Sequence, residues 1–299
     1  MFPLVHHLDY TVRQDGGVAF PWDKYGLVMT ALRAGSAPPR EHEAPVMPRR
    51  WLEAVHDPAY VAQVLSAQVP PATERRIGFP VTAALSRRVQ RTTGGTWAAA
   101  RLALGAGYAA NSAGGSHHAL HDTGAGYCVF NDLAVAANRL LEEGDARHIL
   151  IVDLDVHQGD GTASLLAGRG DVTTFSMHAA RNFPARKARS TLDVELPDDM
   201  GDEAYLDLLD AHLPHLIADS APDLILYQAG VDPHRDDKLG RLALSDAGLW
   251  QRDSLVATLA RAHGIPLASV LGGGYGIDQA AVARRHADAM QVMALSYYR

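Results

Sequence analysis

A chain of 299 residues that is 47% hydrophobic and 20% charged can bury a large core, which excludes intrinsic disorder. Its formal net charge of −7 argues against nucleic acid as a partner, and the short basic stretches at Arg75-Arg76 and residues 181–189 read as solvated faces. No apolar run nears the roughly 18 residues of a membrane span, residues 1–10 lack a secretory leader pattern, and the lone cysteine, Cys128, fits a reducing compartment, so a cytoplasmic protein is expected.

Residues 34–50 and 66–80 are rich in proline and charge and read as surface loops. From about residue 94 onward, helical and strand patterns alternate. Residues 96–104, rich in alanine and leucine, predict a helix, and 108–112 a short strand that ends at Gly114-Gly115. Residues 131–141 have helical spacing and stop at Gly144. The apolar runs 148–153, 172–177 and 223–227 have the form of fully buried strands. Between the last two, residues 203–218 predict a helix that Pro214 should kink or divide. Ser245 can cap a helix running to about residue 262, then 266–271 is another buried strand and 279–297 a final helix. The fold class that follows is α/β: a single domain over residues 1–299, with a mostly parallel central sheet and helices on both faces.

In open parallel sheets, ligands bind beyond the carboxyl ends of the strands. Each unusual cluster in this chain falls at such an end. Gly114-Gly115-Ser116-His117-His118 follows the first strand, and residues 153–161 follow the second. Val231-Asp232 and Gly272-Gly273-Gly274-Tyr275 follow the last two. Asp155 and His157 stand two residues apart on an extended segment, so their side chains point the same way. With Asp232 as the natural third ligand, they form a compact nitrogen and oxygen site suited to zinc, which ferrous iron would also accept. Acidic residues also end strands merely as helix caps, and it is the adjacent histidines that point to chemistry. Asp153 and Asp160 can each fix one ring of the His117-His118 pair, and one imidazole can then act as general base. Tyr275, after three glycines, can donate to a tetrahedral oxyanion.

The segments GGSHHALHDTGAGYCVFND, ILIVDLDVHQGDG, FSMH, QAGVDPHRDDKLGRLALS and LGGGYG occur in this order. In order and spacing, over roughly residues 20–290, they resemble the zinc-dependent histone deacetylase family of the arginase–deacetylase fold. TTGGTWAAARLAL and DDKLGRLALSDAGLWQRD are similar to its class IV branch. The resemblance implies an amidohydrolase that removes acyl groups, acetyl or longer fatty acyl, from lysine side chains in proteins or peptides, or from small acylated amines. It implies zinc on Asp155, His157 and Asp232, catalytic roles for His117, His118, Tyr275, Asp153 and Asp160, and a substrate tunnel of Gly126, Tyr127, Phe183, Leu239 and Gly273. It further implies a structural potassium ion on Asp153, Asp155, His157, Ser176 and Met177.

The chain departs from the family pattern at two places. Ile77-Gly78-Phe79-Pro80 stands where many relatives carry a rim aspartate that grips the substrate backbone, and Gln158 replaces a second family histidine. Both departures favour substrates less dependent on a peptide. Glycines at 114, 115, 126 and 272–274 suggest room around the metal, so a medium or long acyl chain is expected. A two-manganese ureohydrolase needs further aspartates two residues after His157 and Asp232, where Gly159 and His234 stand. An acetylpolyamine amidohydrolase shares all the catalytic parts. A non-catalytic acyl-lysine-binding scaffold would usually have lost one of them.

Overall fold

The computed structural model describes residues 1–13, 20–35 and 38–298. Eight strands, β1 (Pro3–His6), β2 (Arg40–Glu43), β3 (Tyr108–Asn111), β4 (Ile149–Asp153), β5 (Val172–Ala179), β6 (Leu192–Leu196), β7 (Leu224–Gln228) and β8 (Leu267–Val270), form one sheet. Their order is β2-β1-β3-β8-β7-β4-β5-β6, and every neighbouring pair is parallel. The helices are α1 (Lys24–Ala34), α2 (Arg49–Glu53), α3 (Pro58–Leu65), α4 (Pro71–Ile77), α5 (Ala83–Ala106), α6 (Asp132–Glu142), α7 (Asp160–Leu165), α8 (Asp202–Ser220), α9 (Asp246–Ala262) and α10 (Gln279–Tyr298).

Every residue of β3, β4, β5, β7 and β8 is buried, as a parallel sheet covered on both faces requires. Alternate side chains feed two cores: in β4, Leu150 and Val152 pack on one face, Ile149 and Ile151 on the other. Helices α1, α8, α9 and α10 cover the first face, while α5 and α6 cover the second. The edge strand β2 reads Arg-Glu-His-Glu and is largely exposed, a charged edge that discourages further pairing.

Several expectations are corrected here. Residues 66–80 are not simply a loop, because α4 starts on Pro71, where a missing N–H costs a helix nothing, and ends at the left-handed Gly78. Residues 34–50 contain the strand β2 and the start of α2, apart from 36–37, which lie outside the described residues. A four-residue polar edge strand has no hydrophobic period to betray it. Pro214 does not divide α8, which runs unbroken from Asp202 to Ser220. Its lost hydrogen bond falls to the carbonyl of Asp210 on the exposed side, while Tyr205, Leu209, Leu213 and Ile217 hold the buried side. Among the described residues, no helix is long and apolar enough to cross a membrane.

Candidate active site

The sheet order places β3, β8, β7 and β4 side by side, so the four clusters beyond their carboxyl ends share one rim. Asp155, His157 and Asp232 each bring a ligand atom to within 4.8 Å of the others, and all three are buried. His157 Nδ1 lies 3.0 Å from Asp155 Oδ1 and 3.1 Å from Asp232 Oδ2. Neighbouring strand ends fix both carboxylates: the Gly273 N–H donates to Asp155 Oδ2 at 2.7 Å and the Val156 N–H to Asp232 Oδ1 at 2.9 Å. Burial pushes Asp232 up to about 7, and the charge of Asp155 adds to the rise. Burial lowers His157, but the two carboxylates outweigh it and bring the imidazole up to about 10. Two buried, mutually repelling oxygen donors beside one nitrogen make a set that fits a divalent cation.

The histidine pair is split by its surroundings. His117 Nδ1 bonds Asp153 Oδ2 at 2.7 Å and His118 Nδ1 bonds Asp160 Oδ1 at 2.7 Å, the partnering expected from the sequence. Their ring centroids are 4.1 Å apart. Burial opposes charge on His117, yet Asp153 and Asp155 raise it to about 9. Burial lowers His118 to about 4, and the charge of His117 works the same way. The neutral His118, donating from Nδ1 to Asp160, leaves Nε2 as a free base.

Tyr275 lies 6.5 Å from the His157 ring, centroid to centroid, and burial holds its phenol protonated far above the usual range. Asp237, which sequence reasoning missed, accepts from the Tyr275 N–H at 2.6 Å and from the Leu239 N–H at 2.9 Å, tying the tyrosine to the loop after Asp232. A cavity of about 370 Å³ joins Gly126, Tyr127, Phe183, Leu239 and Gly273 to His117, His118, Asp155, His157 and Tyr275. Phe183 stands edge-on to His118 at 4.8 Å, and with Leu239 it is among the exposed large apolar residues, so both lie where the cavity opens.

The glycines do not provide the space expected of them. A Cβ on Gly114 would lie 2.6 Å from Asp132 Oδ2, on Gly115 2.1 Å from Gln228 Oε1, on Gly126 2.7 Å from His118 Cδ2, and on Gly273 within 1.9 Å of Asp232 Oδ2. They let the rim's own polar groups approach the backbone closely, so they carry no argument for a long acyl chain. Gln158 is also accounted for: it exchanges hydrogen bonds with the Ala188 backbone and donates to Asp193. The end of α4 braces the cavity wall, since Arg76 and Ile77 carbonyls accept from the Gly126 and Tyr127 N–H groups. For the monovalent ion, Ser176 lies opposite Asp153 in the β4–β5 register, with Met177 next to it. The Asp155 and His157 carbonyls accept no hydrogen bond from a described residue, which suits an oxygen-ligated cation.

A family model described as histone deacetylase domain matches residues 20–291. The chain belongs to the histone deacetylase family. It is 44% identical over 287 residues to an uncharacterized protein of Picosynechococcus sp., covering 95% of this chain and 96% of that one. It is 34% identical to histone deacetylase 2 of Arabidopsis thaliana, over 62% of this chain and 49% of the relative. With an acetoin utilization protein AcuC of Staphylococcus aureus it shares 31% identity, over 54% of this chain and 44% of the relative. The chain thus spans about half the length of these named relatives. The crystal structure of the HDA15 HD domain has the same fold, with a TM-score of 0.80 at 19% identity, covering 98% of this chain and 90% of that one.

Sequence reasoning also missed residues that shape this histone deacetylase-family site from a distance. Arg252 is fully buried and donates to the carbonyls of Leu154 at 3.2 Å and Gly230 at 2.7 Å, clamping the segments that lead to Asp155 and Asp232. Its sequence signal was only a charged Arg-Asp pair on a helix. Lys24 and Arg88 line the cavity from α1 and α5 and carried no motif at all.

Proposed function

We propose that the protein is a metal-dependent lysine deacylase that hydrolyses the amide between an acyl group and a lysine side-chain amine. Convergence of the Asp155, His157 and Asp232 donor atoms at the end of a cavity that also holds His118 and Tyr275 carries this reading. Family membership supports the deacetylase class, and the donor set supports zinc, with ferrous iron as an alternative. When bound, the ion would polarise the acyl carbonyl and acidify a water beside it.

His118 takes the water proton at Nε2, and Asp160 holds its other nitrogen in the donating form. The Tyr275 phenol donates to the oxyanion as the carbonyl becomes tetrahedral. His117, held at Nδ1 by Asp153, stands beside His118 next to the reacting atoms, and an imidazole proton passes to the departing amine. The tunnel walls Gly126, Tyr127, Phe183 and Leu239 sheathe the aliphatic lysine stem. Potassium beside Asp153, Ser176 and Met177 would stiffen the strand ends from behind. The motif similarity to the class IV branch belongs to the same proposal.

Small acylated amines form a second reading. Residues 77–80 of the rim contain no carboxylate to grip a peptide backbone, and Phe79 instead stacks on Tyr127 at 6.1 Å. Turnover of lysine peptides carrying a series of acyl groups against diamines carrying the same groups, at matched zinc loading, tests both. Hydrolysis of none of them rejects the deacylase reading.

A further inference from the structure

The cavity that holds the metal ligands is also lined from α1 and α5, where it meets two cations. Lys24 is only 1% exposed and Arg88 only 6%. The Lys24 ammonium donates once, to the Gly272 carbonyl at 2.9 Å, and otherwise faces the rings of Tyr25 at 5.5 Å and Tyr275 at 5.8 Å. The Arg88 guanidinium lies over the rings of Tyr25 at 4.5 Å, Trp22 at 5.1 Å and Phe20 at 5.4 Å. Its buried Nε–H has no acceptor, and no described carboxylate pairs with either side chain. Ring faces attract a cation but do not satisfy in-plane N–H donors, so a buried guanidinium left in this state is costly.

Both cations lie over one ring, Tyr25, and line the same cavity as His117, Asp155 and Tyr275. An acyl chain that enters this part of the cavity therefore ends among positive charges. An apolar tail would leave them desolvated and unpaired, whereas a carboxylate would accept from both. The geometry points to acyl groups that end in a carboxylate, the malonyl, succinyl and glutaryl class of lysine amides, with Arg88 and Lys24 gripping the distal carboxylate. This deepens the deacylase reading and rests on it. In the reaction the amide C–N bond breaks, the water oxygen joins the acyl carbon to give a carboxylate, and both water protons end on the released amine, which leaves as an ammonium. A free dicarboxylate leaves.

The test compares kcat/KM for glutaryl-lysine and succinyl-lysine peptides with the same acyl chains ended in a carboxamide, a neutral match of equal size. Wild-type protein should favour the acids by about 10- to 100-fold, as a site built around a charged partner does. Arg88→Met should lower that acid-to-amide ratio at least about tenfold, with Arg88→Lys in between. Calorimetric titration of wild-type zinc-loaded protein with glutarate and with its monoamide gives a second readout, needed should Arg88→Met not fold, and glutarate should bind more tightly. An acid-to-amide ratio at or below one, or equal binding of glutarate and monoamide, overturns the inference. If acetyl-lysine is hydrolysed and the acids are not, the inference fails and the deacylase reading stands. If no acyl-lysine is hydrolysed, the deacylase reading fails, and the calorimetric comparison still decides whether the two cations hold a carboxylate.

Discussion

The rim and the α1–α5 chamber that shares its cavity are opposites in charge and in completeness. At the rim, acidic groups crowd together and nearly every one is met by a designated donor: Asp153 by His117, Asp160 by His118, Asp155 by Gly273 and Asp232 by Val156. In the chamber, Lys24 and Arg88 bring positive charge, and the Arg88 Nε–H meets no acceptor. A satisfied network rigidifies a reaction centre, whereas an unsatisfied buried donor that lines a cavity can still accept a ligand group. On the reading proposed above, the contrast separates the part of the site that performs the reaction from the part that selects what is cleaved.

The largest expected effect breaks the rim at its deepest ligand. Asp232→Ala removes one of three converging donors and leaves Asp155 and His157 to hold the ion, so bound metal and nearly all turnover should be lost. Stoichiometric zinc with normal kcat in that variant would show that the three donors do not form the centre. Tyr275→Phe sharpens the comparison without touching a ligand. It should lower kcat by about 10²- to 10³-fold, as removal of other oxyanion donors does, while metal content stays the same. An unchanged kcat would reduce the glycine loop to a simple turn.

The smallest effect concerns how the rim is braced. His56 is buried, donates from Nδ1 to the Leu120 carbonyl and accepts at Nε2 from the Asn131 N–H, so it locks the loop that carries the histidine pair. Burial lowers its pKa from 6.5 to about 4. The unfolded chain therefore takes the proton first, and the stability that neutral His56 supplies is complete above pH 6.5 and drains away as pH falls towards 4. Over that window wild type should lose up to about 3 kcal/mol relative to His56→Gln in denaturant unfolding. His6 and His178 are shifted the same way, so the difference between the two proteins isolates His56. Parallel pH profiles would show that His56 does not titrate on unfolding.

Much of the rim was legible in the sequence because its chemistry is local. Asp155 and His157 stand two residues apart in the bend just past β4, the histidines are adjacent, and each cluster directly follows a run that reads as a buried strand. The chamber was not legible. Lys24 opens a helix whose pattern drew no attention, and Arg88 sits in a run of arginines that looks solvated until α5 turns one of them inward. Glycine misled for the same reason: Gly115 and Gly273 read as open space, but tertiary neighbours fill that space with Gln228 and Asp232. Short polar elements such as β2 and the helix α4 escaped because their few residues hold no period.

Titrating metal-stripped protein with zinc while following hydrolysis of an acetyl-lysine peptide tests the central claim most directly. The account predicts that activity is absent without the ion, rises in proportion to zinc added, and saturates at one ion per chain bound by Asp155, His157 and Asp232. Full turnover by the stripped protein, or saturation only at two ions per chain, would contradict it.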